Sequence, residues 1–210
     1  MTNKKNKNIS PYDFLYNQSE NHILWGDEPG RLIAKIDNYL KAGKILDAGC
    51  GDGKNALFLE KKGFIVTGYD SSKNSIQGLK NRFKKNGLKP KGLYKVKDIA
   101  KLNLSEQFDA LVSYGLLHAL PKSTRIATHS KLQKLVKKDG FLFFTCLTDK
   151  IPLPDFHNTE FMTLVDKSEI EKLLKGWQIL YQEEGKIKET HPNVSNHKHY
   201  AKWLIAKKIN

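Results

Sequence analysis

The chain has 210 residues, 39% of them hydrophobic and 28% charged, with a net charge of +14. That length supports one domain with a full core. No apolar run approaches the ~20 residues of a membrane-spanning helix. The two cysteines, Cys50 and Cys146, offer neither a disulfide framework nor a metal-site spacing. These features point to a reduced, cytoplasmic protein with no membrane partner and no metal. The charge invites a nucleic-acid reading. Yet only Arg31, Arg82 and Arg125 are arginines; the other 33 of the 36 basic residues are lysines scattered along the chain. Arginine is the better fork for phosphates and bases, so the charge is read as compositional and a small molecule is preferred as partner.

The opening MTNKKNKNIS is polar and lysine-rich and lacks the apolar stretch of a signal peptide. Residues 1–20 are therefore expected to form a flexible tail, and residues 21–210 a single domain. Leu32, Ile33, Ile36 and Leu40 have helical spacing, so 31–40 reads as a helix. A short apolar strand over 44–48 is followed by a helix over 55–62, a strand over 64–69 and a helix over 72–86. Strands over 92–97 and 108–114 come next, then a long helix over 122–138 closed by Asp139-Gly140. FLFFTCL (141–147) reads as a strand buried on both faces. A helix over 167–174 precedes two final strands, 177–188 and 197–208. Alternating strands and helices through residue 147 imply parallel strands joined by right-handed crossovers. The last two strands lack a helix between them and should pair antiparallel at one edge. The fold class is thus α/β, a Rossmann-like doubly wound sheet of seven strands. The irregular stretch 149–166 has the length of a substrate loop.

The densest information lies in ILDAGCGDG, Ile45 to Gly53. A glycine-rich turn between a first strand and its helix is a ligand cradle: helix N-terminal amides favour an anion, and glycine permits close approach. The nucleotide-triphosphate pattern GxxxxGK[ST] does not fit, because Asn55 follows Lys54. The dinucleotide pattern GxGxxG does not fit either, because the third glycine comes one residue early. Gly49-x-Gly51-x-Gly53, with Asp47 two residues ahead, is a different device. Asp47 can accept hydrogen bonds or face a cation.

This arrangement resembles motif I of the class I S-adenosylmethionine-dependent methyltransferases. The resemblance covers residues 25–208 and implies S-adenosylmethionine as cofactor and S-adenosylhomocysteine as product. It places the cofactor on Asp47, Gly49, Cys50, Gly51 and Gly53, with Cys50 a small backbone-contact residue and not a nucleophile. VTGYDSS then supplies Asp70, with Ser71 beside it, for the ribose hydroxyls, and a carboxylate has the two acceptor oxygens this needs. KVKDIA supplies Asp98 for the adenine amino group with Ile99 alongside, and VSYGLLHAL places Tyr114 near the methionine part. Competing local roles stand beside these: Asp70 is also a candidate helix N-cap, with Ser71 or Ser72 as rivals for that role, and Asp98 a strand-end turn residue.

A narrower resemblance, to the tellurite-resistance methyltransferases and related thiopurine-type enzymes, rests on WGDEP, GKNALFL, GWQILYQEEGK and WLIAKK. That family carries a substrate-facing His-Arg pair after its penultimate strand, where this chain has Lys188 and Glu189. An oxyanion acceptor is put in doubt by the exchange; methyl transfer is not. His118 follows the fourth strand at the carboxyl edge, as a general base or as a helix-start residue. His191, His197 and His199 cluster near the last hairpin; His191 and His197 are taken as substrate residues, with surface or structural roles the alternative. Tyr16 and Trp25 lie ahead of the first helix, where they would close over the cofactor and Trp25 would meet substrate, or else simply pack. Phe156, Phe161 and Met162 are candidate walls of the acceptor pocket. The expected activity is in-line methyl transfer to a small molecule such as a thiol or a chalcogen compound. The rivals are an RNA or protein methyltransferase, against which SYGLLH lacks the NPPY-type motif of base-amine methylation, and a non-catalytic cofactor-binding domain.

Overall fold

The computed structural model describes residues 11–153, 162–191 and 194–209. Seven strands run β1 (Lys44–Ala48), β2 (Ile65–Asp70), β3 (Leu93–Val96), β4 (Phe108–Tyr114), β5 (Val136–Thr148), β6 (Trp177–His191) and β7 (Val194–Lys208). They form one sheet in the order β3-β2-β1-β4-β5-β7-β6. The first five strands are parallel, while β7 lies antiparallel between β5 and β6. The α/β doubly wound class and the antiparallel terminal pair are as expected. The order reverses between β1 and β4, and an open sheet binds ligands at the carboxyl ends of strands at such a point.

Period-two alternation explains why the sheet carries two cores. Ile45, Val112, Phe143 and Ile205 face one side, against Ala56 and Leu59 of α2 (Lys54–Lys61), Leu79 and Phe83 of α3 (Lys73–Lys85), and Leu32, Ile33 and Ile36. Their chain neighbours Leu46, Leu111, Phe144 and Leu204 face the other. There they meet Leu132 of α4 (Arg125–Gln133) and Ile170 and Leu173 of α5 (Lys167–Leu173). Both faces are apolar, which is why these strands read as continuous hydrophobic runs.

Four expectations are corrected. Residues 11–18, assigned to a flexible tail, form α1 (Pro11–Gln18), because Asp13 and Tyr16 find partners far along the chain. The helix expected over 31–40 is a 3-10 helix over Ile33–Asn38; Ile33 and Ile36 are both fully buried, and their i, i+3 spacing suits three residues per turn. The long helix to residue 138 stops at Gln133, because Val136 already pairs with Phe108 in the sheet. Lys208 seals that end, donating to the carbonyls of Gln133 at 3.1 Å and Val136 at 2.6 Å. Asp139, with φ of 62°, then sits in a register shift of the β4–β5 ladder. Finally, β6 and β7 extend beyond their expected ends to His191 and back to Val194.

Ser72 is the cap of α3, its hydroxyl accepting from the Ser75 amide at 3.0 Å. The same hydroxyl donates to the Asp13 carboxylate, which also accepts from the Asn74 amide at 3.1 Å. Ser72→Ala removes both contacts, so urea unfolding should show a loss of about 1–2 kcal/mol. Ser72→Thr, which retains a hydroxyl, should recover most of it. An unchanged midpoint for the alanine variant would contradict this role.

Candidate active site

The turn after β1 places Gly49, Gly51 and Gly53 at φ of 74°, 53° and 78°, a region that glycine enters without strain. A methyl group on Gly53 would lie 2.5 Å from Leu79 Cγ, and one on Gly51 would lie 2.7 Å from the Tyr16 hydroxyl. The amides of the turn are not a free anion cradle. Gly49 and Cys50 donate to the Tyr69 carbonyl at 2.8 and 3.1 Å, and Gly53 donates to the Cys50 carbonyl at 3.1 Å. Gly51 donates to Asp70 Oδ2 at 3.0 Å. The sequence-based picture of free amides gripping an anion is therefore replaced: these four amides tie the turn to β2 and to itself. The glycines are needed here by their positive φ and by the side chains of Leu116, Tyr16 and Leu79 packed against them, and carboxylates lie beside the turn.

Two carboxylates lie there. Asp47 is buried, and its Oδ2 has no hydrogen-bond partner among the described residues. Burial, and then the charge of Asp70, push its pKa from 3.8 up to about 7. Asp70 accepts from the amides of Gly51 and Ser72, the latter at 2.8 Å. These bonds pull its pKa down, but burial outweighs them and leaves it raised. Each oxygen keeps a further acceptor position. Asp70 is not the cap of α3, since Ser72 has that role, and Ser71 is exposed. Asp98 caps a 3-10 turn, accepting from Ala100 at 2.9 Å, and is exposed at the rim; Ile99 behind it is buried with Tyr69 and Leu102. The Cys50 thiol is buried, and burial followed by the negative charges of Asp47 and Asp70 holds its pKa well above the ordinary value. It stays protonated, which agrees with a packing role and not a nucleophilic one.

A strap from α1 through Gly30 covers this turn. Tyr16 is buried, and its hydroxyl accepts from the Trp25 indole at 2.9 Å. Asp52, the residue between two of the glycines, accepts from the amides of Leu24 and Trp25, both at 2.8 Å. Arg82 of α3 is almost fully buried. It donates to the carbonyls of Asp52 at 3.0 Å and Trp25 at 2.6 Å and to the Asp27 carboxylate at 2.7 Å, and pairs with Asp52 Oδ1 at 3.1 Å. Asn55 accepts from the Gly30 amide at 2.8 Å. Sequence reasoning missed Asp52, Asn55 and Arg82. Tyr16 and Trp25 do lie against the turn at Gly51, and Lys54 Nζ lies 6.0 Å from the Trp25 ring centroid.

Beyond β4 lies a second group. Tyr114 stacks on Gly30, where a methyl group would lie 2.4 Å from the phenol ring. Burial raises its pKa, opposed by donors from Trp203, Thr145 and the Arg31 backbone. His118 is buried, and its Nδ1 accepts from the Leu147 amide at 3.1 Å. An amide cannot accept, so Nδ1 carries no hydrogen and Nε2 carries one. In this tautomer His118 presents a donor at Nε2. His197 and His199 are buried on the β7 face that carries Ala201 and Trp203, with ring centroids 4.8 Å apart. The described residues contain no cluster of three or more groups able to hold a metal. Met162 packs against the apolar core. The side chain of His191, and Phe156 and Phe161 entirely, lie outside the described residues.

A family model described as tellurite resistance protein TehB matches residues 31–201. The chain belongs to that family. A relative from Haemophilus influenzae (strain 10810), a probable S-adenosyl-L-methionine-dependent methyltransferase TehB, is 28% identical over 170 residues, covering 79% of this chain and 57% of the relative. A ubiquinone biosynthesis O-methyltransferase from Pelagibacter ubique is 33% identical over 115 residues, 55% of this chain and 46% of that one. The chain thus spans about half the length of these curated relatives. Among solved structures, TehB from Haemophilus influenzae superposes with a TM-score of 0.71 at 24% identity, over 84% of this chain and 61% of that one. The shared fold is that of the sheet and turn described above.

Asp47 makes the ligand-free protein pH-sensitive. Its folded pKa lies above the unfolded one, so the unfolded state ionises first and stability should fall as pH rises from about 4 through about 7. The full loss approaches roughly 4 kcal/mol. Asp47→Asn should flatten that slope in urea titrations at pH 5 and pH 8; an identical slope in both proteins would remove Asp47 as its source.

Proposed function

We propose that this chain is an S-adenosylmethionine-dependent methyltransferase acting on a small-molecule acceptor. The observation that carries the reading is the buried, unpartnered Asp47 oxygen beneath three positive-φ glycines. A buried carboxylate without a counter-charge is costly, and a cationic ligand over the turn offsets that cost. Membership of the TehB family supports the same reading. S-adenosylmethionine would supply a methyl group already activated on a positively charged sulfonium. Asp47 faces the cationic amino-acid end, Asp70 accepts from the ribose hydroxyls, and Asp98 with Ile99 borders the base. Gly49, Cys50, Gly51 and Gly53 let the ligand approach the backbone, Ser71 borders the ribose side, and Tyr114 borders the methionine side. Tyr16 and Trp25 exclude water from above. Orientation of this kind is worth ~7–11 kcal/mol of a barrier.

The acceptor side lies on the same sheet face, towards β7. Gly185 pairs with Ala201, and Ile187 with His199. A methyl group on Gly185 would meet only the Trp203 ring, at 3.9 Å. Small residues thus lie beside indole, aliphatic and imidazole groups on this face, a lining that would suit a compact acceptor. His197 and His199 form its polar wall, and His118 sets its edge through an Nε2 hydrogen. A thiol or chalcogen acceptor needs no strong base, which fits a site where His118 is a donor. The arginines favour this reading over nucleic acid: Arg31 sits over the Trp203 ring at 4.3 Å and pairs with Glu183 at 2.7 Å, while Arg82 is committed to the strap and Arg125 is buried.

Labelled S-adenosylmethionine offered with thiols, chalcogen oxyanions, thiopurines and RNA tests the proposal. Label should enter one of the small molecules; label in RNA alone would overturn it. Asp70→Ala should weaken S-adenosylhomocysteine binding by about 100-fold in calorimetric titration, and unchanged affinity would take Asp70 out of the cofactor site.

A further inference from the structure

Arg125 opens α4 and is completely buried. A guanidinium has five N–H groups, and five acceptor contacts meet them. Nε donates to Glu169 Oε1 at 2.8 Å and Nη2 to Glu169 Oε2. Nη1 donates to the carbonyl and the hydroxyl of Thr163, both at 2.8 Å, and Nη2 to the Leu164 carbonyl at 2.9 Å. Glu169 in turn completes the capping box of α5, accepting from the Asp166 amide at 3.2 Å. One side chain therefore joins α4, α5 and the segment that leads into α5.

That segment holds His118. The Thr163 amide donates to the His118 carbonyl at 2.9 Å, and the Val165 amide donates to the Leu147 carbonyl at 3.0 Å. The Leu147 amide donates to His118 Nδ1 at 3.1 Å. The contacts close a ring through Arg125, Thr163, His118, Leu147, Val165 and Leu164. Within it both the backbone and the imidazole of His118 are fixed, and the tautomer with them.

A buried ion pair gives little net stability over a well-packed apolar pair, so stability alone does not account for an arginine here. What the arginine adds is a planar fork that reaches a carboxylate and two successive carbonyls at once. We propose that Arg125 is a positioning residue for methyl transfer, holding residues 163–165 on β5 so that His118 is set at the acceptor side of the cradle. The proposal rests on the preceding reading that His118 borders the acceptor.

The test is the double variant Arg125→Met with Glu169→Gln. It removes both buried charges, and the carboxamide oxygen it introduces can still accept from the Asp166 amide. The thermal midpoint should fall, because the acceptors of Thr163 and Leu164 lose their donor, while S-adenosylhomocysteine affinity should stay near that of the parent. Amide exchange at Thr163 and Leu147 should accelerate about tenfold or more, and the His118 imidazole nitrogen resonances should move. With benzenethiol and tellurite as acceptors, kcat/KM should fall about 10- to 100-fold. Arg125→Lys keeps the charge but loses the fork, and should shift the same readouts. Parental exchange, parental imidazole resonances and parental kcat/KM in both variants would make Arg125 a packing residue and overturn the proposal. A parent protein that methylates no small molecule would instead overturn the functional reading, and the exchange and resonance measurements would still decide whether Arg125 holds His118.

Discussion

One carboxylate oxygen organises this molecule. Asp47 stands at the end of β1, buried, with Oδ2 unpartnered among the described residues, and its neighbour in charge is the half-buried Asp70. Proteins bury such groups where a ligand completes them. The surroundings are consistent with that purpose. The turn above Asp47 is rich in glycine, its amides are tied inward to Tyr69 and Asp70, and the strap of Tyr16 and Trp25 packs against it. The proposed sulfonium nucleoside would bring a cation and hydroxyl groups to these carboxylates, which a phosphate ester would not.

The rest of the fold is devoted to holding that turn and the edge opposite it. The chain has three arginines, and none is left to bind a phosphate backbone. Arg82 fastens the strap to α3, Arg125 fastens residues 163–165 to α4 and α5, and Arg31 lies on Trp203. Many lysines are spent in scattered exposed pairs, such as Lys62 with Asp37 and Lys44 with Glu106, which contribute little to stability.

The parallel class of the sheet was legible because strands buried on both faces leave continuous apolar runs, and because the helices between them are amphipathic. The glycine turn was legible because its spacing is distinctive, and Asp70 only through the resemblance to the class I methyltransferases. The strap was not. Asp13 depends on Ser72, and Trp25 on Asp52 and Arg82, residues 27 to 59 positions away, and no local pattern announces such pairs. The end of α4 was misplaced because Lys134 to Lys138 continues a helical polarity pattern, while Val136 is drawn off by pairing with Phe108. The tautomer of His118 depends on one backbone amide 29 residues later. A histidine read from its position at the carboxyl edge thus acquires a defined tautomer once its partner is known.

The most direct test of the central claim is the pH dependence of S-adenosylmethionine affinity, measured by calorimetry from pH 5.5 to pH 8.5. If the cofactor's positive charge completes an ionised Asp47, affinity should rise with pH towards about 7 and level off above it, with a proton released on binding at the lower values. Undetectable binding, or an affinity independent of pH with no proton released, would contradict the account.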